Sequence, residues 1–362
     1  MANNANRINP QPSTAVQNDL SKDITIQDSP QDSISDLRFN PQVEHLLAAA
    51  SWDNTVRIYD INQTGGNKGV AMFSHEGPVL SCCWSPDGQT LFGAGIDKTI
   101  RMLDLSSNSQ QQFPTTHTQP IRSIHSFTIN STPILTTASW DTTLKYWDLR
   151  QRHPIATLAC RDKIYSTSIR NNTLLVIATA DRNIHIIDLN NPTRIHKTLL
   201  SPLKHQTRIV QTYLDGTGFA LGGIEGRCAF QYIEEKDSAK NYTFRCHRQP
   251  QTPPSSSNTS KIYALNAIST HPLHGTFSTA GSDGTFHFWD KDSRTRLKGF
   301  PEVGGAISAT DFSRKGDVFA YAVGYDWSMG YMFNTPRYPC RIVLHPVGEE
   351  ECKPRGRGSV GR

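Results

Sequence analysis

The sequence predicts an all-β fold, a seven-bladed β-propeller, and three observations support this prediction. First, an acidic residue recurs along the 362-residue chain at intervals of 40 to 44 residues, with one interval of 58. Second, apolar and polar residues alternate just after these acidic residues, as in a β-strand. Third, 21 prolines and 25 glycines indicate many short elements joined by turns. A repeat of this length without helical periodicity is typical of a four-stranded propeller blade.

Each repeat has the pattern of a strand, a tight turn and a second strand. An apolar run such as Leu46 to Ala50 precedes the turn, and Val56 and Ile58 illustrate the alternating run that follows it. The position between these two apolar columns carries residues such as Arg57 and Lys145, so we expect a strand with one buried face and one polar face. The turn residues are Asp53, Asp97, Asp141, Asp181, Glu225, Asp283 and Asp326.

The seventh repeat departs from the others in a way that bears on ring closure. After Asp326 the chain passes through Met329 and Pro339 before Ile342-Val343-Leu344, which indicates an enlarged loop followed by the last inner strand. A ring of blades leaves a sheet edge unpaired unless another strand covers it. Because Asp23 to Ile26 is the one spare alternating run, we expect an N-terminal strand to close the ring in the last blade.

The domain boundaries follow from where the apolar pattern starts and stops. We expect a disordered N-terminal extension over 1–22, the propeller over 23–347 and a disordered C-terminal tail over 348–362. The one long interval between turn residues holds a Pro- and Ser-rich stretch. This stretch predicts a mobile insertion at about 249–260.

Composition argues against several classes of protein. No run approaches the roughly 18 consecutive apolar residues of a spanning helix, so we expect no membrane insertion. Seven cysteines are scattered without Cys-x-x-Cys spacing, which argues against a disulfide framework and favours a reducing compartment. His271 and His274 lack further ligands nearby in sequence, and we therefore expect no metal site and no cofactor.

The net charge of +5 is a mild excess, although basic residues cluster over 193–208 and 240–248.

Two pairs of strings resemble WD-repeat signatures. They are Ser139-Trp140-Asp141 with Tyr146-Trp147-Asp148, and Gly281-Ser282-Asp283 with Phe288-Trp289-Asp290. In that family a histidine, a serine, the turn aspartate and a tryptophan form a hydrogen-bonded network. The resemblance implies such a network of His117, Ser139, Asp141 and Trp147, and structural roles for the turn residues Asp53, Asp97, Asp181 and Asp283. Leu103 replaces the tryptophan in the second repeat, which implies a partial network there.

Longer strings resemble the nuclear-pore-associated mRNA export factors of the Rae/Gle type. They include Phe244-Arg245-Cys246-His247-Arg248 and Tyr325-Asp326-Trp327-Ser328. The resemblance implies a non-enzymatic scaffold that binds the GLEBS segment of an FG nucleoporin and promotes poly(A) mRNA export through the nuclear pore complex. It further implies contact with mRNA or single-stranded RNA. The implied location is the nucleus, at the nuclear envelope and its pores, with shuttling to the cytoplasm.

The first implied site is a contact for the GLEBS segment. Carried over by position, the resemblance places Arg248 in this contact, with Arg245 and His247 beside it in sequence. An arginine suits an acidic peptide, because its planar guanidinium binds a carboxylate through two hydrogen bonds. The alternative is an exposed loop arginine without a partner.

The second implied site is a groove for RNA or a partner, lined by Tyr325, Asp326 and Trp327. A large aromatic at this turn offers a face to a base or an apolar side chain, or else caps the core under the long loop. The family commonly reads Asp-Trp-Ser-Lys-Gly-His here, whereas this chain has Met329 and Tyr331 at the lysine and histidine positions. The change removes two cationic groups and so argues against phosphate capture beside Trp327.

Two other classes of function stay open. One is a mitotic spindle checkpoint or kinetochore WD-repeat scaffold, with mitotic checkpoint proteins as partners through a GLEBS-like segment of a checkpoint kinase. The other is an enzyme, since propellers can house active sites. The sequence has no nucleophile elbow, phosphate-binding loop or His-Glu-x-x-His motif, and its recurring acids already have a turn role. We therefore expect no catalytic residue and no enzymatic activity.

Overall fold

The computed structural model describes residues 20–62, 68–129, 131–250 and 260–355. Its strands form seven four-stranded antiparallel sheets and one two-stranded hairpin, and each sheet is one blade of a propeller. This confirms the predicted seven-bladed β-propeller.

Each of the first six blades is built from four consecutive strands. Blade one has β2 (Ile34–Phe39), β3 (Leu46–Ser51), β4 (Thr55–Asp60) and β5 (Lys68–Ser74). Blade two has β6 (Val79–Trp84), β7 (Thr90–Gly95), β8 (Ile100–Asp104) and β9 (Ser109–Phe113). Blade three has β10 (Ile121–Ile129), β11 (Thr132–Ser139), β12 (Thr143–Trp147) and β13 (Ala156–Ala159). Blade four has β14 (Ile164–Arg170), β15 (Leu174–Thr179), β16 (Asn183–Asp188) and β17 (Lys197–Leu200).

The insertion lies between blades five and six. Blade five has β18 (Thr207–Thr212), β19 (Gly218–Gly223), β20 (Arg227–Tyr232) and β21 (Tyr242–Arg245). A hairpin of β22 (Arg248–Pro250) and β23 (Ser260–Ile262) follows. Blade six has β24 (Leu265–Thr270), β25 (Phe277–Gly281), β26 (Phe286–Asp290) and β27 (Thr295–Gly299). Blade seven has β28 (Ile307–Phe312), β29 (Val318–Val323), β30 (Arg341–Pro346) and β1 (Ile24–Thr25). Among the described residues the helices are two 3₁₀-helices, Glu235–Lys240 and Tyr331–Phe333, and α1 (Glu349–Cys352).

The ring closes as predicted. The first strands of neighbouring blades contact each other in one cycle of β2, β6, β10, β14, β18, β24 and β28, which returns to β2. In the last blade Ile24 lies opposite Leu344, and Thr25 opposite Val343, so the N-terminal strand supplies the outer edge. The strand predicted at 342–344 is therefore the third strand of its blade, covered by β1, and not an innermost strand.

The two faces of the ring differ in the loops they carry. Because each blade is an antiparallel meander, the turns between second and third strands share one face with the links to the next blade. We call this the front face; it carries the seven acidic turn residues and the β22–β23 hairpin. The back face carries the remaining turns and α1.

The polar face predicted for the third strands is present but is partly or fully covered, because neighbouring blades lie on both sides of each sheet. His185 and Lys145, at positions expected to be polar, are only 3% and 8% exposed. The Lys145 ammonium is instead paired inside the protein, where it donates to the carbonyl and hydroxyl oxygens of Thr116 at 2.8 and 2.6 Å. The apolar core is correspondingly divided among the spaces between blades.

The predicted disordered tail over 348–362 is wrong for 348–355. Here α1 places Cys352 against blade six, 1% exposed, and Thr276 Oγ1 donates to the Cys352 carbonyl at 2.8 Å. At the other end, Leu20 packs against the same apolar cluster, so order begins before residue 23. The expectations for 1–19, for 356–362 and for the middle of the insertion, 251–259, lie outside the described residues.

Candidate partner-binding face

A complete hydrogen-bonded network fixes the front turn of blade three. His117 Nδ1 lies 2.8 Å from Asp141 Oδ2, and His117 Nε2 lies 2.7 Å from Thr137 Oγ1. Trp147 Nε1 donates to the same hydroxyl at 2.8 Å. The hydroxyl of the network therefore comes from Thr137 and not from Ser139, as the resemblance implied. Ser139 lies nearer the turn, where its Oγ donates to backbone carbonyls and accepts the N–H of Asp141 at 3.0 Å.

The ionisation of this network follows from burial and hydrogen bonding. Burial lowers the pKa of His117 and outweighs the opposing effect of Asp141, so the imidazole is neutral at pH 7. Burial alone would raise the pKa of Asp141, but hydrogen bonds from Thr143 and His117 outweigh it and lower the pKa. A neutral imidazole thus donates from Nδ1 to an ionised carboxylate and accepts the Thr137 hydroxyl proton at Nε2. Each N–H or O–H proton of the network then has one acceptor inside the protein. No group is left to react with or bind a ligand, so the role of this network is structural.

The front turn of blade six has the same network, and it includes His247. His247 Nδ1 lies 2.8 Å from Asp283 Oδ1 and Nε2 lies 3.0 Å from Thr279 Oγ1, which also accepts Trp289 Nε1 at 2.9 Å. His247 is 3% exposed. The assignment of His247 to partner binding is therefore wrong: both its ring nitrogens are committed inside the protein.

The other turn aspartates hold their turns without a full network. In blade two His75 Nδ1 lies 2.8 Å from Asp97 Oδ2, but Gly93 and Leu103 replace the threonine and tryptophan, and His75 Nε2 has no partner within the described residues. Burial opposes ionisation of Asp97, yet hydrogen bonds from His75 and Thr99 lower its pKa to about 2. Asp53 accepts Thr55 Oγ1 at 2.6 Å and Arg57 Nη2 at 2.9 Å, and Asp181 accepts Thr179 Oγ1 at 2.5 Å.

The arginines assigned to partner binding lie on the front of blade five and the hairpin after it. Arg248 is half-buried, and its Nη2 and Nε donate to the carbonyls of Glu225 and Gly226 at 2.7 and 3.3 Å. Arg245 is exposed and lies directly opposite Arg227 on the neighbouring strand. Arg227 is already paired with Glu225, with Nε 3.5 Å from Oε2, whereas Arg245 has no ion pair among the described residues. Of the three predicted contacts, Arg245 is the freest to reach a partner.

The turn of blade seven supports an aromatic pair. Trp327 adopts a left-handed backbone, with φ of 61°, which a bulky residue rarely does. Its ring stacks on Trp52 of blade one, with centroids 4.9 Å apart and planes at 29°. The pair spans the junction between the first and last blades and leaves Trp327 partly exposed on the front face.

Tyr325 and Asp326 are buried beneath this turn, 3% and 6% exposed, and so do not line a groove as predicted. The Tyr325 hydroxyl donates to the Gly330 carbonyl at 2.7 Å and accepts the Met329 N–H at 3.1 Å, which fixes the start of the long loop. Asp326 accepts hydrogen bonds from Ser282 Oγ and from Asn266 Nδ2. Burial would raise the pKa of Asp326, but hydrogen bonds led by Ser282 outweigh it and lower the pKa.

Beside Trp327 the long loop of blade seven exposes a set of large apolar side chains that sequence reasoning missed. Their exposed fractions range from 54% to 78%, and the residues are Met329, Tyr331, Met332 and Phe333. We call this set the apolar loop. In the sequence this loop is recognisable as four large apolar residues within five positions. They do not alternate with polar residues as in a strand, and the run is too short for a typical strand. Apolar side chains exposed in one cluster mark interaction sites more often than chance surface.

Three further observations concern the described part of the chain as a whole. Within the described ranges, no group of three or more His, Cys, Asp or Glu side chains is placed to hold a metal ion. No helix in that part of the chain is long and apolar enough to cross a membrane. All seven cysteines are free thiols, five of them buried.

Comparisons with known proteins agree with this architecture. The model of the family "WD domain, G-beta repeat" matches residues 22–60, 67–104 and 108–148. A solved structure of RRP9 WD40 repeats superposes with a TM-score of 0.75 at 16% identity, covering 90% of this chain and 97% of that one, which shows the shared fold.

Similarity to named proteins is much higher in sequence. The chain is 50% identical to the "mRNA export factor GLE2" of Chaetomium thermophilum, over 94% of this chain and 95% of the relative. It is 49% identical to the "Poly(A)+ RNA export protein" of Schizosaccharomyces pombe, over 93% of this chain and 94% of the relative. The chain therefore belongs to the WD-repeat family of Rae/Gle-type mRNA export factors.

Proposed function

We propose that this protein is a non-enzymatic scaffold that binds the GLEBS segment of an FG nucleoporin on its front face and promotes poly(A) mRNA export at the nuclear pore complex. Family membership supports the general role, because the quoted relatives are named for mRNA or poly(A)+ RNA export. These names favour export over the checkpoint alternative. The proposed location is the nucleus and the nuclear envelope, with shuttling to the cytoplasm.

The observation that carries the proposal is the apolar loop beside the Trp52–Trp327 stack. Four large side chains that are more than half exposed follow the partly exposed Trp327 within six residues of the chain. Burying such groups against a partner removes apolar area from water, at about 25 cal/mol per Å². A peptide with apolar side chains gains from this surface, whereas a phosphate backbone does not.

Charge on the same face suits an acidic peptide. Arg245 is exposed, Arg227 lies opposite it, and Arg248 adjoins them at the start of the hairpin. A guanidinium has five N–H donors, and the two carbonyls that Arg248 contacts leave others to meet a carboxylate. Arg245 and Arg248 are the proposed contacts for acidic side chains of the segment.

Direct contact with mRNA or single-stranded RNA is the secondary part of the proposal. The apolar loop places Met329 and Tyr331 beside Trp327, where they offer stacking and packing but no cation for a phosphate. RNA contact at Trp327 would therefore depend on base stacking and show little salt dependence.

Calorimetric titration with a nucleoporin GLEBS peptide tests the proposal. We expect the parent protein to bind, and Trp327→Ala and Arg245→Glu each to weaken binding at least tenfold. Arg152→Glu is the matched control, because Arg152 is exposed on the back face. A folded parent that does not bind the peptide, or variants on the front face that bind as tightly as the control, would overturn the proposal.

A further inference from the structure

The front mouth of the central channel has a feature that repeats in all seven blades. In each first strand the pairing register shifts at the second residue, so that this residue bulges out of the ladder. Bulges change the direction of a side chain and are frequent at functional sites. Because the first strands start at the front face, the seven bulged residues form a ring at the channel mouth. The mouth ring consists of Ser35, Leu80, Arg122, Tyr165, Arg208, Asn266 and Ser308.

Three members of the mouth ring tie neighbouring blades together. Ser35 Oγ donates to the Val79 carbonyl and Ser308 Oγ to the Ile34 carbonyl, both at 2.6 Å. Asn266 Nδ2 donates to the Ile307 carbonyl at 3.0 Å. Each bond reaches the first residue of the next blade's inner strand. These polar side chains therefore have a structural role that the ring geometry explains.

The two arginines of the mouth ring have no comparable role. Among the described residues, Arg122 makes one hydrogen bond, from Nη1 to the Leu80 carbonyl at 3.3 Å. Arg208 likewise makes one, from Nη2 to the Asp326 carbonyl at 3.3 Å. Each guanidinium has five N–H donors, so most of their capacity is unused. Both residues are half-buried, and neither has a donor nitrogen that is buried without a partner, so their remaining N–H groups stay open to a ligand.

The charges nearby do not satisfy these guanidiniums. Asp36 is paired with Arg38 at 3.2 Å and accepts Ser81 Oγ at 2.7 Å. Asp326 accepts Ser282 and Asn266 through its carboxylate and meets Arg208 only through its backbone carbonyl. Burial lowers the pKa of Arg122; the charge of Asp36 opposes this, and the charges of Arg208 and Arg38 add to the lowering. An anion at the mouth would meet two donors that now repel each other.

The size of the mouth and its surroundings favour a peptide side chain over a nucleic acid. The channel behind the mouth has a cavity volume of about 60 Å³ and is lined by residues of all seven first strands, which include the guanidiniums of Arg38 and Arg122 as well as the carboxylate of Asp36. One carboxylate fits such a space, whereas an RNA phosphate carries its sugars with it. Arg208 is hydrogen-bonded to the residue that precedes Trp327, so a segment lying across the apolar loop passes close to the mouth.

We propose that the mouth ring is a carboxylate subsite in which Arg122 and Arg208 together bind one acidic side chain of the segment held on the front face. The inference rests on the proposed function, since the segment is the GLEBS peptide of that proposal. It adds a contact near the axis of the propeller to the contacts at Trp327 and Arg245. Bidentate guanidinium–carboxylate geometry would fix the register of the peptide.

The test is calorimetric titration of the GLEBS peptide with the parent protein, Arg122→Gln, Arg208→Gln and the double variant, at low and high salt. We expect each single variant to weaken binding at least tenfold at low salt, equal to about 1.4 kcal/mol. Because both arginines bind one carboxylate, the double variant should lose less than the sum of the two. Arg152→Gln on the back face is the control and should bind within twofold of the parent.

Replacing the acidic residues of the peptide by amides, one at a time, tests the subsite without altering the protein. Replacement of the one acidic residue that occupies the subsite should weaken binding to the parent protein. The same replacement should cause no further loss of binding to the Arg122→Gln variant. Folded arginine variants that bind within twofold of the parent would overturn the subsite while leaving the proposed function in place. Loss of poly(A) RNA binding without loss of peptide binding would assign the arginines to RNA and also overturn it. A parent that does not bind the peptide would overturn both proposals.

Discussion

Nδ1 of His345 lies 2.6 Å from Oδ1 of Asp23, and this contact joins the two ends of the propeller chain. His345 belongs to β30 and is 2% exposed. Its other nitrogen, Nε2, lies 3.2 Å from Oε2 of Glu351 in α1, and Tyr321 Oη donates to the second oxygen of Asp23 at 2.6 Å. One buried imidazole thus connects the closing strand, the last blade and the C-terminal helix.

This contact predicts a loss of stability at alkaline pH. Burial disfavours the imidazolium, but hydrogen bonds to Asp23 and Glu351 outweigh it and raise the pKa of His345 to about 9. Since the folded pKa exceeds the unfolded value of about 6.5, the contribution is complete below pH 6.5 and is lost as the pH rises through 9. We expect a loss of about 3 kcal/mol, measured by urea unfolding between pH 6 and 10.

His345→Gln separates this effect from other titrations. The variant should be less stable than the parent at pH 7 and should lack the alkaline loss, so that the two curves converge near pH 10. Parallel curves across that range would show that His345 is not charged in the folded protein.

A second prediction concerns the network of blade three. Thr137→Val removes the hydroxyl that serves both His117 Nε2 and Trp147 Nε1, and leaves two buried polar atoms without partners. We expect a destabilisation of about 2–4 kcal/mol in chemical unfolding. Thr137→Ser keeps the hydroxyl and should recover most of this loss. If Thr137→Val costs no more than Thr137→Ser, the network does not stabilise the blade.

The repeat pattern predicted the fold because each of its parts has a direct physical cause. Turn geometry selects the acidic turn residue, and burial between blades selects the two apolar columns. It did not identify the role of His247. In blade three the network histidine precedes its aspartate by 24 residues, whereas the insertion lengthens this separation to 36 residues in blade six. The spacing of blade three therefore does not lead to His247, and its adjacency to Arg248 was misleading.

Other features could not be predicted from a single sequence, and the physical reason differs from one feature to the next. Thr137 and Ser139 are two residues apart on one strand and so face the same side, and only the position of His117 selects between them. The helix α1 is four residues long, too short to show a period, and it is stabilised by tertiary contacts of Cys352 and Glu351. The mouth ring depends on bulges, each of which interrupts the alternation at the start of its strand, as in β2, and such a break resembles the end of a loop in a single sequence.

A third prediction concerns the aromatic pair at the junction of the first and last blades. Trp52→Ala removes the ring on which Trp327 stacks, so Trp327 loses its fixed position although it remains in the chain. We expect GLEBS peptide binding to fall about as far as in Trp327→Ala, and the double variant to be little worse than either. Trp140→Ala is the matched control, because Trp140 occupies the same turn position in blade three. Additive losses in the double variant would mean that the two rings bind independently.

The last prediction concerns a buried carboxyl at the inner strands. Burial raises the pKa of Asp311 to about 6 despite the opposing charge of Arg38, and Asp36 adds to the increase. Because the folded pKa of this acid lies above the unfolded value of about 3.9, the folded state holds its proton longer, and stability falls as the pH rises from 4 to 6.

Asp311→Asn mimics the protonated form and keeps an acceptor for the Phe39 N–H, which now donates to Asp311 Oδ2 at 2.8 Å. We therefore expect the variant to match the parent near pH 4 and to exceed its stability by about 2–3 kcal/mol at pH 7, in denaturant unfolding. Asp36→Asn is the control and should lower stability at pH 7, because it removes the partner of Arg38. An Asp311→Asn variant less stable than the parent at pH 7 would show that attraction to Arg38 outweighs burial.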